Sequence, residues 1–385
     1  MKNYLSIKKY GLEHLVLFSC FVFLTFAVMS CDSESNNNDN GGGNPTPTAT
    51  PLPTLPPKGP PTQAPSPTAS PSPAPGGSIL EPGGTLSMVA QTFDYVGNGN
   101  ERQMLDFYAI SGLPSQTVSD FSTSGVPAAR PALVFFHGGA WVFGDRGDVD
   151  PLIFDAAEIA GFHLVSVGYR LVTEDAWPAQ IHDANSAIRW IKQNAGELGI
   201  NPDKLIIVGG SAGAHIGGAV AAASDVDELQ GTHNLEPPTS TEVAMAVLIF
   251  GAYNMNMIVD DGLDLVMDGT CSVEDLGPGL AAVLLLLDCP PSFNLLDPLD
   301  NCSPQDLDSA SPENFVDSTD PPMYLAHGRD DCTVPHQQTL GMADALEAAG
   351  VVFQSTIIDG GVHDVDSLNL SVDDIISFID ENVAP

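Results

Sequence analysis

Hydrophobic and polar positions divide the chain into three textures. Residues 15–29, LVLFSCFVFLTFAVM, are one nearly unbroken apolar run without a charge. Residues 32–87 reverse this: a polar stretch, DSESNNNDNGGGN, gives way to Thr-Pro, Ser-Pro and Pro-Pro dipeptides. From Met88 onward, short apolar runs alternate with segments whose apolar residues recur at helical spacing. That alternation predicts strands at 90–96, 104–110, 132–136, 163–169, 205–208, 243–250, 323–326 and 351–358. It predicts helices at 150–160, 179–194, 212–223, 337–349 and 373–382. Gly97-Asn98-Gly99 signals a hairpin between the first two strands. Strand and helix taking turns implies an α/β domain, a mostly parallel central sheet with helices on both faces. Residues 252–314 break the rhythm and read as an inserted cap, and their run LAAVLLLL at 280–287 reads as core in preference to the lining of an acyl pocket.

The first two textures describe an address and a spacer. Lys2, Lys8 and Lys9 precede the apolar run. Fifteen helical residues rise only about 22 Å, short of a ~30 Å hydrocarbon core, so the run suits a secretory signal better than a membrane span. Its end, Val28-Met29-Ser30-Cys31, resembles a bacterial lipobox. That resemblance implies that Cys31 is diacylated and becomes the first mature residue. Residues 1–30 are therefore expected to be a lipoprotein signal peptide, and residues 31–87 a disordered Asn/Gly- then Pro/Thr/Ser-rich tether. Such a tether has too little apolar surface to offset the entropy of ordering. Its proline-rich part should extend as polyproline II at ~3.1 Å per residue. The expected setting is an exported lipoprotein of the cell envelope, held by a membrane lipid anchor.

Charge removes several functions. The 385 residues carry 12 Lys+Arg against 49 Asp+Glu, a net charge of −37. Lys and Arg supply most non-specific nucleic-acid affinity, so no nucleic-acid partner is expected. Electrostatic docking of a helix on anionic lipid is disfavoured too. An acidic surface also repels anionic substrates and favours neutral ones.

Candidate chemistry sits at the ends of predicted strands. Gly209-Gly210-Ser211-Ala212-Gly213 follows the strand at 205–208 and opens a helix. A serine held on a sharp strand-to-helix turn needs small neighbours, because a Cβ there would meet the adjoining backbone. The helix N-terminus behind it supplies free N–H groups and a positive dipole end. A phosphate-binding P-loop is excluded, since no Lys follows Gly213. A serine hydroxyl needs a base, and the base an orienting acid. His327-Gly328-Arg329-Asp330-Asp331-Cys332-Thr333-Val334-Pro335 places two acids after one strand, and Gly360-Gly361-Val362-His363 places a histidine after the next. In a parallel sheet these loops share one edge with Ser211. His137-Gly138-Gly139-Ala140-Trp141 also follows a strand; the N–H groups of Gly138 and Gly139, with that of Ala212, could bind an oxyanion.

Taken together, HGGAW at 137–141, SVGYRL at 166–171, WPAQIHD at 177–183, NPDK at 201–204, GGSAGAH at 209–215, HGRDDCTVP at 327–335 and the late histidine resemble the α/β-hydrolase superfamily. The likeness is to its bacterial esterase/lipase group with an HGG-type oxyanion loop, and it covers about 93–379. It implies an α/β-hydrolase fold over 88–385. It also implies Ser211 as nucleophile, Asp331 as acid, His363 as base and Asp183 as a structural residue. Asp330 is the rival acid. The resemblance implies hydrolysis of small or medium acyl esters, free or decorating a polysaccharide, with no cofactor and no metal. A tethered non-catalytic binding domain and a serine peptidase are the competing readings, the second without room for a propeller. Where the group often has Gly after the histidine, Asp364 stands here. It either raises the basicity of His363 or, as is favoured, faces solvent. His215 is expected to pack within its helix. Beyond Cys20 and Cys31, an even set of cysteines remains in an exported domain: Cys271, Cys289, Cys302 and Cys332. Two disulfides are expected, preferably Cys271–Cys289 in the cap and Cys302–Cys332 beside the acid. No Cys-x-x-Cys pair suggests zinc.

Overall fold

The computed structural model describes residues 85–87, 89–111, 129–290, 292 and 298–383. All belong to the unit Gly77–Pro385. The signal, Cys31 and the tether up to residue 84 lie outside the described residues. No helix among the described residues is long and apolar enough to cross a membrane.

The sheet grows from strands that are apolar on both faces. The core strands are β5 (Arg130–Phe136), β6 (His163–Val167), β7 (Ile200–Gly210), β8 (Met245–Ile249), β9 (Met323–Gly328) and β10 (Phe353–Ile358). With β2 (Gln91–Asp94) and β3 (Met104–Tyr108) they form an eight-stranded sheet in the order β10-β9-β8-β7-β5-β6-β3-β2. Strands β5 to β10 pair in parallel; β3 is antiparallel to both β6 and β2. Two-sided burial explains the unbroken apolar runs of the parallel strands. Val134 and Phe136 enter one core while Leu133 and Phe135 enter the other, and Leu205 and Ile207 oppose Ile206 and Val208 in the same way.

Helices α1 (Pro151–Ala160), α2 (Ala179–Gln193), α3 (Ala195–Leu198) and α4 (Ala212–Ala222) follow in chain order. The cap contributes α5 (Ile258–Asp268), α6 (Val273–Leu286) and α7 (Pro304–Ser309), and the chain continues through α8 (Gln337–Ala349), α9 (Val365–Leu368) and α10 (Val372–Asn382). The larger core lies between one sheet face and α2, α4, α8 and the cap; the smaller lies between the other face, α1 and α10. Ala282, Val283, Leu286 and Leu287 are buried in the larger core, so the cap's leucine run is core as expected.

Most expected elements appear, with two informative differences. The strand expected at 205–208 extends back to Ile200, and Arg130 pairs with Ile200 through a register shift. Polar Asn201, Asp203 and Lys204 hid that extension from a hydropathy reading. The strand expected at 104–110 is split, because Ile110–Ser111 (β4) leaves the main sheet to pair with Thr85–Leu86 (β1). The hairpin forms as expected, with Gly97 and Gly99 at positive φ. Asp94 fixes it by accepting from the N–H groups of Val96, Gly97 and Gly99.

Asp183 on α2 is fully buried and accepts from Arg170, through both its backbone N–H and its guanidinium, and from Gln103 Nε2 at 2.7 Å. A buried carboxylate is tolerable only with such saturation, and this one ties the chain after β6 to α2. The buried guanidinium of Arg189 donates to the carbonyls of Gln230 and His233 and pins the loop before β8.

Candidate active site

Every feature singled out at a strand end lies on the edge formed by the C-termini of the parallel strands. Strand β7 runs straight into Ser211 and α4. Ser211 has φ 56° and ψ −124°, a strained conformation for a residue with a side chain. Its neighbours show why the turn needs glycine. A Cβ on Gly213 would collide with the carbonyl oxygen of Phe136, and one on Gly209 with that of Gly213. The N–H of Ser211 donates to the Ile249 carbonyl at 3.0 Å, anchoring the elbow to β8.

Ser211 Oγ lies 2.9 Å from His363 Nε2, and His363 Nδ1 lies 2.6 Å from Asp331 Oδ2. Asp331 is fully buried. Its Oδ1 accepts from the backbone N–H groups of Thr333 and Val334 at 2.9 and 3.0 Å. Burial pushes this carboxyl upward, but hydrogen bonds from His327 and His363 outweigh it and hold it down at about 2. Asp331 is therefore an anion throughout the neutral range. Asp330, the rival acid, is exposed.

The loop after β5 approaches the serine from the other side. A Cβ on Gly138 would lie 3.1 Å from the Gly210 carbonyl oxygen and 3.5 Å from Ser211 Cβ, a tight approach that glycine relieves. Gly139, Ala140 and Trp141 have φ of 112°, 54° and 58°, curling the loop so that Val142 and Phe143 donate to the Gly139 carbonyl. Ala212 is the first residue of α4, where N–H groups have no intrahelical partner. Gly138 and Ala212 therefore lie beside Ser211, and Gly139 follows Gly138 in the same loop. The His137 ring stacks on Tyr169 with centroids 4.2 Å apart, and the Tyr169 hydroxyl donates to the His137 carbonyl at 2.7 Å.

His215 is fully buried and packs as expected, but it also connects parts. Its Nδ1 accepts from Trp141 Nε1 at 3.2 Å, and its Nε2 donates to the Ala310 carbonyl at 2.9 Å, joining the glycine loop to the end of the cap. Burial holds its pKa down at about 4, so the ring is neutral. Asp364 is exposed and its carboxylate caps α9, accepting from the N–H of Asp366 at 3.2 Å.

The expected disulfide pairing is corrected. The bonds are Cys271–Cys332 and Cys289–Cys302, with Cα atoms 5.7 and 5.0 Å apart. Helix α6 lies against the acid loop so closely that a Cβ on Gly279 would collide with the Thr333 carbonyl. The turn between α5 and α6, which carries Cys271, therefore lands on Cys332. Cys289, just past α6, is left to close the local loop to Cys302.

The roles of three residues around the site escaped the sequence reading. Phe250, at φ 42°, lays its ring on the His363 imidazole with centroids 4.5 Å apart. Tyr169 supports the glycine loop. His327 meets the same oxygen of the acid as His363, its Nε2 3.2 Å from Asp331 Oδ2. His327 and Tyr169 carried a signal, each lying within a segment that the resemblance rests on, HGRDDCTVP and SVGYRL.

A mostly parallel, doubly covered sheet with a serine elbow after its central strand defines an α/β-hydrolase fold. The family model described as BD-FAE matches residues 122–270 and 290–346, more than half of the chain, and the protein belongs to that family. Among curated relatives, the probable carboxylic ester hydrolase LipM of Mycobacterium tuberculosis is 28% identical over 274 residues, covering 70% of this chain and 56% of that protein. Esterase LipQ of the same organism is 29% identical over 278 residues, with the same coverage of each. The chain thus spans just over half the length of these relatives. A truncated carbohydrate esterase from gut microbiota superposes with TM-score 0.58 at 22% identity, over 77% of this chain and 98% of that one. At that identity the likeness concerns the fold.

Proposed function

We propose that this protein is a serine carboxylesterase acting on small to medium acyl esters. The observation that carries the reading is the continuous chain Ser211 Oγ–His363 Nε2, His363 Nδ1–Asp331 Oδ2, at 2.9 and 2.6 Å, ending on a buried carboxylate. In the proposed reaction Ser211 Oγ attacks the ester carbonyl carbon while His363 Nε2 takes its proton. The N–H groups of Ala212, Gly138 and Gly139 stabilise the oxyanion, each such donor contributing about 3–4 kcal/mol in comparable sites. Collapse expels the alcohol, which receives the proton from His363 Nε2. Water, deprotonated by the same nitrogen, then attacks the acyl-enzyme and restores Ser211. Asp331 keeps the Nδ1–H tautomer and stabilises the imidazolium.

The substrate reading follows from charge. With a net charge of −37, an uncharged ester suits the surface better than an anionic one. An ester decorating a neutral polysaccharide fits this, and the fold neighbour named a carbohydrate esterase is in keeping with it. The proposed location is the bacterial cell envelope, with Cys31 lipidated and residues 31–87 as tether. Labelled palmitate entering the wild-type chain but not a Cys31→Ser chain is the expected result; equal labelling removes the anchor. For the chemistry, a fluorophosphonate should label the wild type stoichiometrically and fail on Ser211→Ala, whose hydrolysis of a nitrophenyl acetate should fall to background. Full activity in Ser211→Ala would sink the proposal.

A further inference from the structure

His327 is as deeply buried as the acid, at 0% exposure, and its ring is fully engaged. Nε2 lies 2.9 Å from the Val334 carbonyl oxygen and 3.2 Å from Asp331 Oδ2. Neither oxygen has a proton to give, since Asp331 is ionised. Nε2 therefore carries the hydrogen and shares it between the two acceptors. Nδ1 lies 2.7 Å from Thr339 Oγ1 on α8 and accepts the threonine's proton, which fixes the tautomer. Asp331 thus receives four donors: two backbone N–H groups on Oδ1 and two imidazoles on Oδ2.

We propose that His327 is a positioning residue for the acid, locking the Asp331 carboxylate in the plane His363 needs and sharing the negative charge that His363 would otherwise receive alone. This rests on the esterase reading of the same site. Asp331 meets His327 from β9, His363, and the N–H groups of Thr333 and Val334 from its own loop. His327 further meets Thr339 on α8 and the edge of the Phe250 ring, 6.5 Å between centroids. His336 lies within electrostatic reach of both His327 and Arg329. His363 further meets Ser211 and the Phe250 ring, while Asp364 faces solvent.

Removing the His327 donor should have two consequences. The carboxylate becomes freer to turn, so fewer encounters find the base aligned and kcat falls. Oδ2 also gives its whole charge to His363, which then holds its proton more firmly, so the acidic limb of kcat/KM moves to higher pH. A role in packing alone would lower stability or the fraction of active protein and leave the limb in place.

The test compares wild type, His327→Leu and His327→Gln, with rates divided by fluorophosphonate-titrated sites and Ser211→Ala as blank. Expected for His327→Leu is a kcat loss of roughly tenfold or more, with KM within about twofold. Its acidic limb should rise by roughly half a pH unit. His327→Gln, whose amide N–H can reach Oδ2, should recover most of both. A His327→Leu profile matching wild type per titrated site overturns the proposal. If that variant does not fold, Thr339→Val, which removes only the hydroxyl on Nδ1, should show a smaller shift in the same direction; coincidence with wild type again overturns it. Full activity in Ser211→Ala defeats the esterase reading and this proposal together. An inactive Ser211→Ala with an unmoved His327→Leu limb defeats this proposal alone.

Discussion

The two sides of the site are built in opposite ways. On the serine side, placement comes from atoms that are missing. Gly209 and Gly213 let β7, α4 and the end of β5 approach within distances that a Cβ would forbid, and at Gly138 a Cβ would be tightly pressed. On the acid side, placement comes from groups that have been added. Asp331 is held by two backbone N–H groups and two imidazoles, its loop is bolted to the cap by Cys271–Cys332, and α6 lies flush on Thr333. Steric necessity is all-or-none and local, whereas a distributed set of hydrogen bonds and crosslinks loses function by degrees. A single change should therefore be far more damaging on the first side than on the second.

The largest effect is expected at Gly213. In Gly213→Ala the new methyl meets the Phe136 carbonyl, and neither β5 nor α4 can withdraw, because β5 is packed on both faces and every residue of α4 is buried. Overpacking of this kind costs about 1–3 kcal/mol where side chains can adjust, and more where the obstacle is backbone. Thermal unfolding should show a fall of several degrees, and titratable serine should be nearly lost. A Gly213→Ala protein with wild-type Tm and full labelling would break the contrast at its stronger end.

The disulfides give a middle-sized effect and an internal control. Cys271–Cys332 closes 61 residues and Cys289–Cys302 closes 13. By loop-closure entropy these contribute about 4 and about 3 kcal/mol, so replacing either pair by serine should lower Tm by roughly 5–10 °C. Only Cys271–Cys332 touches the acid loop. Its double Ser variant should also lose kcat, by roughly tenfold, while the Cys289/Cys302 variant keeps its turnover per titrated site. Equal turnover in the two variants would show that the cap merely covers the acid loop and does not hold it.

This contrast also explains what could be read from the sequence. The elbow and the glycine loop were legible because their cause is contiguous: the residues that forbid a Cβ stand beside the residue they serve. The β-α alternation was legible for the same reason, since two-sided burial writes itself into each strand. Loop position after successive strands pointed to His363 and to an acid at Asp330 or Asp331, and only the resemblance chose Asp331. The disulfide pairing was not legible, because Cys271 meets Cys332 only through the way α6 lies on Thr333, and nothing local to either cysteine encodes that contact. His327 and Phe250 were missed for a related reason. Phe250 acts across the fold, from the end of β8 onto an imidazole over a hundred residues away, and His327 reaches a carboxylate only four residues on but through a loop whose path its sequence does not encode.

The smallest effect should be at Asp364, which is next to His363 in sequence. Proximity along the chain suggests that its charge strengthens the base. The structure turns that carboxylate away to cap α9 in solvent, where water and salt screen a charge that a buried site would feel in full. Asp364→Asn keeps a capping oxygen and removes only the charge, so the pH profile of kcat/KM should overlay the wild type while that of His327→Leu does not. A profile for Asp364→Asn whose acidic limb moved to lower pH would mean that an exposed charge one residue away governs the base as strongly as a buried donor reached through the acid. The distinction between adjacency in the chain and contact in the fold would then fail at the position where it is easiest to measure.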